Sequence, residues 1–549
     1  MDLTLGLQLG ILLALGLSVV LLTHLDADIA AVARRLRGRL LLGIPVGTLT
    51  AMGLVVAVYL FLQDGLANPY SPVTIPFTSW SYLYPLGMVT APFAHQGFGH
   101  LLGNLIGFLV FGSIAEYAVG HFPTARGTHA FGSWLTNPYL RALLFFPAGV
   151  VLAGLATSAF AWGPIIGFSG VVFAAAGFAL VRYPMVTVVA LVGREFVGTL
   201  YSTLREPIVY ASASPSFGPP WWAGIAIQGH LLGFLVGVLL GMAVVIRRGE
   251  GHRPGAGRIW LGTLIAGSSL TLWAIWWFEG ASSYVLYRGP GLLLLLALAG
   301  LLAIAVGASD RPVIEGITRR QVAVALLALP VITMGFVAAP LNLTTIGDSQ
   351  LPGDPIEVGE YQVAYAEEVP NQRIGAINIS VLGEATTVNA SGVIVVNRER
   401  QIWDEAVSAG QLGHSGRAAV PLGGIGWRET VDAKRQGWRV SGGGTVYTVS
   451  LQPPDGEFTA VFDSDPVQAA PVIAGRNISL VPRDGVFMIA VHQSNRTPSA
   501  DSLPETSTRM PAVNGTVEVG GLTFERAETV VYASRNDTRV PMFERESYQ

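Results

Sequence analysis

Apolar runs long enough to cross a lipid bilayer recur through the first 341 residues of the chain. The hydrocarbon layer of a membrane is about 30 Å thick, so a spanning helix needs about 20 mostly apolar residues. By this measure we predict ten transmembrane helices, near residues 4–23, 40–63, 98–119, 141–162, 167–181, 184–200, 222–246, 259–278, 290–307 and 321–340.

Beyond residue 341 the pattern changes to short segments in which apolar and polar residues alternate. Segments such as "GTVYTVSLQ" and "GVFMIAVHQS" are rich in β-branched residues and are separated by Gly, Pro, Asp and Asn. This pattern is typical of strands joined by turns. We therefore predict a linker over residues 342–360 and an all-β sandwich or barrel over residues 361–549.

Charge separates the same two parts of the chain. Residues 1–341 carry a net charge of +6, and residues 342–549 carry −9. The first part therefore suits lipid and the second suits water. The chain has no cysteine, which excludes disulfides, thiolate catalysis and cysteine-ligated metal sites.

Arginines predict the orientation, because short cytoplasmic loops hold the excess of basic residues. Alternate loops of the predicted spans hold 14 and 2 arginines, which places the N-terminus and the β-rich domain outside the cell. Seven Asn-X-Ser/Thr sequons follow the last span and none precedes it, in agreement with this orientation. They begin at Asn342, Asn378, Asn389, Asn477, Asn495, Asn514 and Asn536.

A single hydroxyl stands out in the apolar segment "PIIGFSGVVFAAAGFALVR", where Ser169 lies between Gly167 and Gly170. Small residues let transmembrane helices approach closely, which is one interpretation of this motif. The other is a nucleophile, which needs a nearby base and hydrogen-bond donors for the oxyanion. Residues elsewhere in the chain distinguish the helix contact from the nucleophile.

Two histidines, His100 and His230, fall inside predicted spans, where ionisable groups indicate function. His230 is followed by Gly233, Gly237 and Gly241, which form a stripe on the same helix face. This stripe allows a neighbouring helix to come close enough for the imidazole to reach Ser169.

His100 and Asn104 are four residues apart, hence one turn apart on the same face of a helix. An imidazole and an amide that point together into a cavity are candidate oxyanion donors, with the backbone amide of Ser169 as a third. A hydrogen bond between helices is the alternative role for Asn104.

The three motifs "HQGFGHLLGN", "GFSGVVFAAAGF" and "GHLLGFLVG" resemble those of the rhomboid intramembrane serine proteases, and the resemblance covers about residues 40–246. It implies a six-helix catalytic core in this range. The remaining segments are then an extra span with an Arg-rich cytoplasmic loop over residues 1–39 and three extra helices over residues 247–341.

The resemblance also implies roles for individual residues. Ser169 would be the nucleophile and His230 the general base of a dyad without an acidic member, while His100, Asn104 and the Ser169 amide would bind the oxyanion. Glu116 falls where the family often has a structural carboxylate. The supporting residues would be Phe173, expected to stack on the base, and the close-packed glycines Gly167, Gly170, Gly233 and Gly237.

Some positions depart from the family or have no assigned chemistry. The Trp-Arg pair common in the first outer loop of the family is Trp80-Ser81 here. Arg194 and Glu195 are expected to form a neutralised pair near a helix end, with a part in substrate admission as the alternative. His414 and His492 lack ligand spacing, and we expect structural roles for them.

The sequence thus predicts a multi-pass cell-membrane serine protease that cleaves peptide bonds in or near transmembrane segments of other proteins. Its expected partners are transmembrane protein substrates and the lipid bilayer. No metal, cofactor or nucleic acid is expected, and the oligomeric state is open. An inactive rhomboid-like adaptor would lack the serine or the histidine, and a ten-span transporter would show internal symmetry, which we do not find.

Overall fold

The structure of the chain is a computed structural model, and the chain divides into two compact units. The first holds Met1–Thr345 and Gly424–Gly426, and the second holds Ile346–Gly423 and Trp427–Gln549. The predicted sequons at Asn378 and Asn495 lie outside the described residues. Those residues are 3–25, 29–122, 131–209, 220–223, 225–248, 254–280, 283–307, 312–314, 316–347, 351, 355–373, 389–493, 499 and 503–548.

The first unit is helical. Its helices are α1 (Leu3–Leu25), α2 (Ile29–Arg39), α3 (Val46–Ala57), α4 (Pro85–Thr90), α5 (Phe98–Val119), α6 (Pro138–Leu140), α7 (Phe146–Ala159), α8 (Ser169–Arg182), α9 (Pro184–Arg205), α10 (Ile227–Arg248), α11 (Ala256–Ser269), α12 (Arg288–Leu302) and α13 (Arg319–Leu343). Wider π-helical turns extend α3, join α6 to α7 and extend α12, at Val58–Leu62, Arg141–Phe145 and Ala303–Gly307. Two short hairpins pair β1 (Trp276–Gly280) with β2 (Ser283–Leu286), and β3 (Pro312–Ile314) with β4 (Ile317–Thr318).

Seven helices within the described residues are long and apolar enough to cross a membrane. They are Leu3–Leu21, Phe98–Val119, Pro138–Ala159, Pro184–Arg205, Ile227–Ile246, Arg288–Gly307 and Arg319–Leu343. Two shorter apolar helices are Val46–Leu62 and Ser169–Arg182. The chain is a multi-pass membrane protein, as the sequence predicts.

The predicted span 259–278 is helical over only part of its length. Helix α11 ends at Ser269, and Thr271 takes a positive φ of 55°, which breaks the helix. The three aromatic residues that follow, Trp276–Phe278, favour extended backbone and form β1 instead. Hydropathy alone does not distinguish this apolar strand from a continuation of the helix.

Helix α8 is short and lies among other helices of the unit. Its 14 residues rise about 21 Å at 1.5 Å each, less than the roughly 30 Å of hydrocarbon. A helix of this length does not cross the hydrocarbon layer by itself. The backbone just before Ser169 is irregular, and within a membrane such backbone is tolerated where protein or a water-filled cavity surrounds it.

Glycines bring α8 and α10 into direct backbone contact. A Cβ on Gly233 would lie 2.1 Å from Gly170 O, and one on Gly237 would lie 1.8 Å from Ala174 O. From the other side, a Cβ on Gly177 would lie 2.2 Å from the carbonyl oxygen of Phe234. No side chain fits at these positions, so the separation of the two helices is set by their backbones.

Glu116 joins the end of α5 to the beginning of α3. Its buried carboxylate accepts hydrogen bonds of 2.7 Å from the backbone amides of Gly47 and Thr48 and from Thr48 Oγ1. His121 Nε2 lies 2.6 Å from the same carboxylate. The first amides of a helix lack partners within the helix, so a carboxylate at this end satisfies them and also suits the helix dipole.

The second unit is rich in β-strands, and its described residues include one short helix, α14 (Ala409–Ser415). Its strands are β5 (Ile356–Val358), β6 (Tyr361–Pro370), β7 (Asn389–Asn397), β8 (Ile402–Ser408), β9 (Arg417–Gly424), β10 (Trp427–Val440), β11 (Thr445–Gln452), β12 (Thr459–Asp463), β13 (Val467–Gln468), β14 (Asn477–Arg483), β15 (Val486–His492), β16 (Ser507–Arg509), β17 (Thr516–Val519), β18 (Leu522–Ala527), β19 (Val530–Arg535) and β20 (Thr538–Arg545).

These strands form three antiparallel sheets. The first has the order β5-β6-β7-β8, and the second has the order β13-β14-β15-β16. The third has the order β12-β11-β10-β20-β19-β18-β17, with β9 also paired to β10. The chain thus has a separate β-rich C-terminal region, as the alternating pattern predicts.

Burial corrects the interpretation of two sequons. Asn342 and Asn477 are only 2% and 5% exposed, so a folded chain cannot present them as glycosylation acceptors. Asn389, Asn514 and Asn536 are exposed. The sequon motif carries no information about burial. The arginines are therefore the main support for the predicted membrane orientation.

Candidate active site

Ser169 and His230 lie within hydrogen-bond distance of each other. Ser169 is the first residue of α8, and His230 lies in the first turn of α10. The distance between Ser169 Oγ and His230 Nε2 is 2.9 Å. The glycine contact between α8 and α10 holds the two residues together, because it permits a backbone separation that larger residues would prevent.

Phe173 fixes the plane of the imidazole. Its ring stacks on the ring of His230, with 4.1 Å between centroids and 14° between planes. His230 Nδ1 is buried and has no hydrogen-bond partner among the described residues, so no described carboxylate orients this ring. The stacked ring of Phe173 is therefore the described contact that restricts the plane of the His230 imidazole.

Gly167 connects the serine to the motif on α5. It takes a φ of +131°, and a Cβ at this position would lie 2.7 Å from His100 Cε1 and 3.8 Å from Asn104 Nδ2. The backbone two residues before Ser169 therefore lies against both His100 and Asn104. The structure brings the predicted oxyanion donors to the same end of α8 as the hydroxyl.

The Ser169 amide is favourably placed for an anion. The first amides of a helix have no acceptor within the helix, and the helix dipole makes this end partly positive. Such an end favours negative charge, which is what a carbonyl oxygen acquires when its carbon is attacked.

His95 is a site residue that the sequence analysis missed. Its ring is buried, with Nε2 3.0 Å from Asn104 Nδ2 and its centroid 5.1 Å from that of His100. Gln63 holds its backbone: His95 N donates to Gln63 Oε1 at 2.7 Å, and Gln63 Nε2 donates to His95 O at 2.8 Å. His95 opens the quoted motif "HQGFGHLLGN" but precedes the predicted span, so hydropathy gave no reason to select it.

The pair Arg194 and Glu195 does not lie where the sequence analysis expects it. Arg194 is at the middle of the 22-residue helix α9, so the expected position near a helix end is wrong. Its Nε is 3.9 Å from Glu195 Oε1, and the Glu195 side chain is 78% exposed. A part in substrate admission, the alternative for this pair, stays a prediction.

Comparison with known proteins identifies the helical segment. A sequence model of the Rhomboid domain matches residues 82–247, which begin after α3 and end with α10. No curated protein and no solved structure matches the chain. The match spans all three motifs from which the resemblance was predicted and thereby confirms it. Residues 82–247 of the chain form a Rhomboid domain.

Proposed function

We propose that the chain is an intramembrane serine protease that hydrolyses peptide bonds in or near the transmembrane segments of other membrane proteins. The observation that carries this proposal is the 2.9 Å distance between Ser169 Oγ and His230 Nε2 inside a Rhomboid domain. Rhomboid domains are generally those of serine proteases, and the two residues are in the geometry of a nucleophile and its base.

The proposed reaction is a nucleophilic attack by Ser169 Oγ with His230 Nε2 as the general base. His230 Nε2 takes the proton of Ser169 Oγ while the oxygen forms a bond to the substrate carbonyl carbon. Asn104, His100 and the Ser169 amide donate to the oxyanion. His230 then gives its proton to the leaving amine as the C–N bond breaks, and a water molecule activated by His230 hydrolyses the acyl-enzyme.

A direct test uses the purified full-length chain and a transmembrane substrate with small residues at the cleavage site. We expect wild type in detergent or liposomes to yield two fragments, and Ser169→Ala to yield none. A protein that binds this substrate without cutting it would instead be the inactive adaptor. Both Ser169 and His230 are present and in contact, which favours the protease.

Replacing Asn104 should slow turnover without unfolding the protein. We expect Asn104→Ala to lower kcat by roughly 10- to 1,000-fold, the range for a lost oxyanion donor. His95 Nε2 occupies one amide hydrogen of Asn104, and the second is available to the oxyanion. A variant with normal turnover but a lower melting temperature would reduce Asn104 to a hydrogen bond between elements of the fold.

We further propose that the active site opens to the outside of the cell and that the β-rich region lies on the same side. The arginine distribution supports this orientation. Protease added to intact cells should remove the β-rich region and spare an epitope inserted at Gly251, in a predicted cytoplasmic loop. Protection of the β-rich region from external protease would contradict the orientation.

A further inference from the structure

Helix α13 lies outside the matched Rhomboid domain, yet its last turn contacts the segment that leads to Ser169. Asn342, next to the last residue of α13, is only 2% exposed. Its backbone and its side chain bind two different loops of the first unit. Asn342 therefore connects the end of α13 to both loops.

The backbone carbonyl of Asn342 anchors the loop before α4. Its oxygen accepts hydrogen bonds of 2.9 Å from the Tyr82 amide and from Ser81 Oγ. The last carbonyls of a helix have no partner within the helix, so this oxygen is free to accept both. Ser81 stands where the family commonly has an arginine, and in this chain its hydroxyl donates to α13.

The Asn342 side chain holds the segment that joins α7 to α8. Its Nδ2 donates to Ala161 O at 2.9 Å. Two helical turns earlier on α13, the carbonyl of Met334 accepts from Trp162 Nε1 at 3.0 Å. Two adjacent residues of this segment are therefore held by α13.

A second pair of hydrogen bonds links the anchored loop to the site. The Ser79 amide donates to Ile165 O at 3.0 Å, and the Ile165 amide donates to Ser79 Oγ at 3.0 Å. Ile165 is two residues before Gly167, whose backbone lies against His100. Continuous contacts thus run from Asn342 through the loop to the residues that place Ser169.

We propose that Asn342 is a positioning residue for Ser169. Its two sets of hydrogen bonds fix both ends of the segment 161–167 and thereby the position of the Ser169 hydroxyl and amide relative to His100 and Asn104. This inference rests on the proposed protease function. A shift of about 1 Å in an active site can lower the rate about 100-fold, so the loss of these bonds should be measurable.

The test measures the reactivity of Ser169 without a protein substrate. A small fluorophosphonate forms a bond from Ser169 Oγ to phosphorus with release of fluoride, while His230 takes the hydroxyl proton. We expect the second-order labelling rate of Asn342→Ala to fall about 10-fold or more, and kcat for a transmembrane substrate to fall with it at an unchanged KM. Leu343→Ala, an exposed neighbour on the same helix end, should label like wild type.

Two further variants separate positioning from folding. Asn342→Asp keeps the shape and the backbone contacts, and its ionised carboxylate has no hydrogen to donate to Ala161 O, so above the pKa of the new carboxyl it should label as slowly as Asn342→Ala. Ser81→Ala removes one of the two hydrogen bonds to the Asn342 carbonyl, and its effect should combine with that of Asn342→Ala less than multiplicatively, because both act on one position. If Asn342→Ala does not fold, these two variants decide the question.

The outcomes distinguish this inference from the function on which it rests. Labelling of folded Asn342→Asp and Ser81→Ala at the wild-type rate would overturn the positioning role and leave the protease intact. A wild-type chain that labels no faster than Ser169→Ala would refute the protease itself, and the positioning role with it.

Discussion

Replacing either Ser169 or His230 by alanine is expected to abolish cleavage, and the double variant should be no worse than either single one. Ser169 Oγ and His230 Nε2 are 2.9 Å apart. In the proposed mechanism one proton moves between them, so neither residue can catalyse the reaction without the other. Residues that act as a unit lose about as much singly as together. We expect a decrease in initial rate of at least about 1,000-fold for each variant.

Comparing the cleavage rates of these variants requires that all of them fold and that a control variant replaces a different serine. Ser113 is half-buried on α5 and its hydroxyl donates to the carbonyl of Leu109 in its own helix, so Ser113→Ala should cleave like wild type. Melting temperatures and elution volumes in detergent should agree among all variants. Substantial cleavage by either single variant would show that the dyad assignment is wrong.

Alanine at Gly233 or Gly237 should remove activity almost as completely, for a steric reason. The added Cβ would lie 2.1 Å or 1.8 Å from a carbonyl oxygen of α8, whereas an ordinary contact needs about 3.4 Å. Backbone cannot move aside as a side chain can, so α8 and α10 must separate by more than about 1 Å. The bond between Ser169 and His230 would then be lost, and we expect a decrease in kcat of about 100-fold or more.

Gly229 provides the matched control, since it lies on the same helix and a Cβ added there would have no atom within 4 Å. Gly229→Ala should keep full activity and gain up to about 1 kcal/mol of stability from the better helix propensity of alanine. Cleavage rates and melting temperatures of the three variants check this prediction. Equal activity in all three would mean that the glycine contact does not set the geometry of the site.

Much of this arrangement is visible in the sequence because it depends on helix periodicity. Residues three or four apart share a helix face, so the spacing of His230, Gly233 and Gly237 predicts which side of α10 meets a neighbour. The spacing of His100 and Asn104 likewise predicts that both point the same way. The alternation of apolar residues after residue 341 predicts the β-rich region that the structure contains.

Other features depend on contacts between distant segments, which periodicity does not report. The bond between Ser81 and Asn342 spans 261 residues, and nothing local to either residue predicts it. His95 meets Asn104 because a loop folds back over the beginning of α5. Hydropathy cannot show that the predicted span 259–278 ends as a helix at Ser269, since the strand that follows is also apolar.

The backbone contact between α8 and α10 also divides the candidate site into two parts with different rigidity. Gly233 and Gly237 have no rotamers, so the spacing of the two helices depends on no side-chain conformation at these positions and loses no side-chain entropy when it forms. The candidate oxyanion donors Asn104 and His100, unlike the Ser169 amide, are side chains with rotamers of their own on α5. Warming should therefore increase the disorder of these two side chains before it alters the spacing of the serine and the histidine. Their contribution to stabilising the oxyanion would then be lost while the nucleophile remains paired with its base.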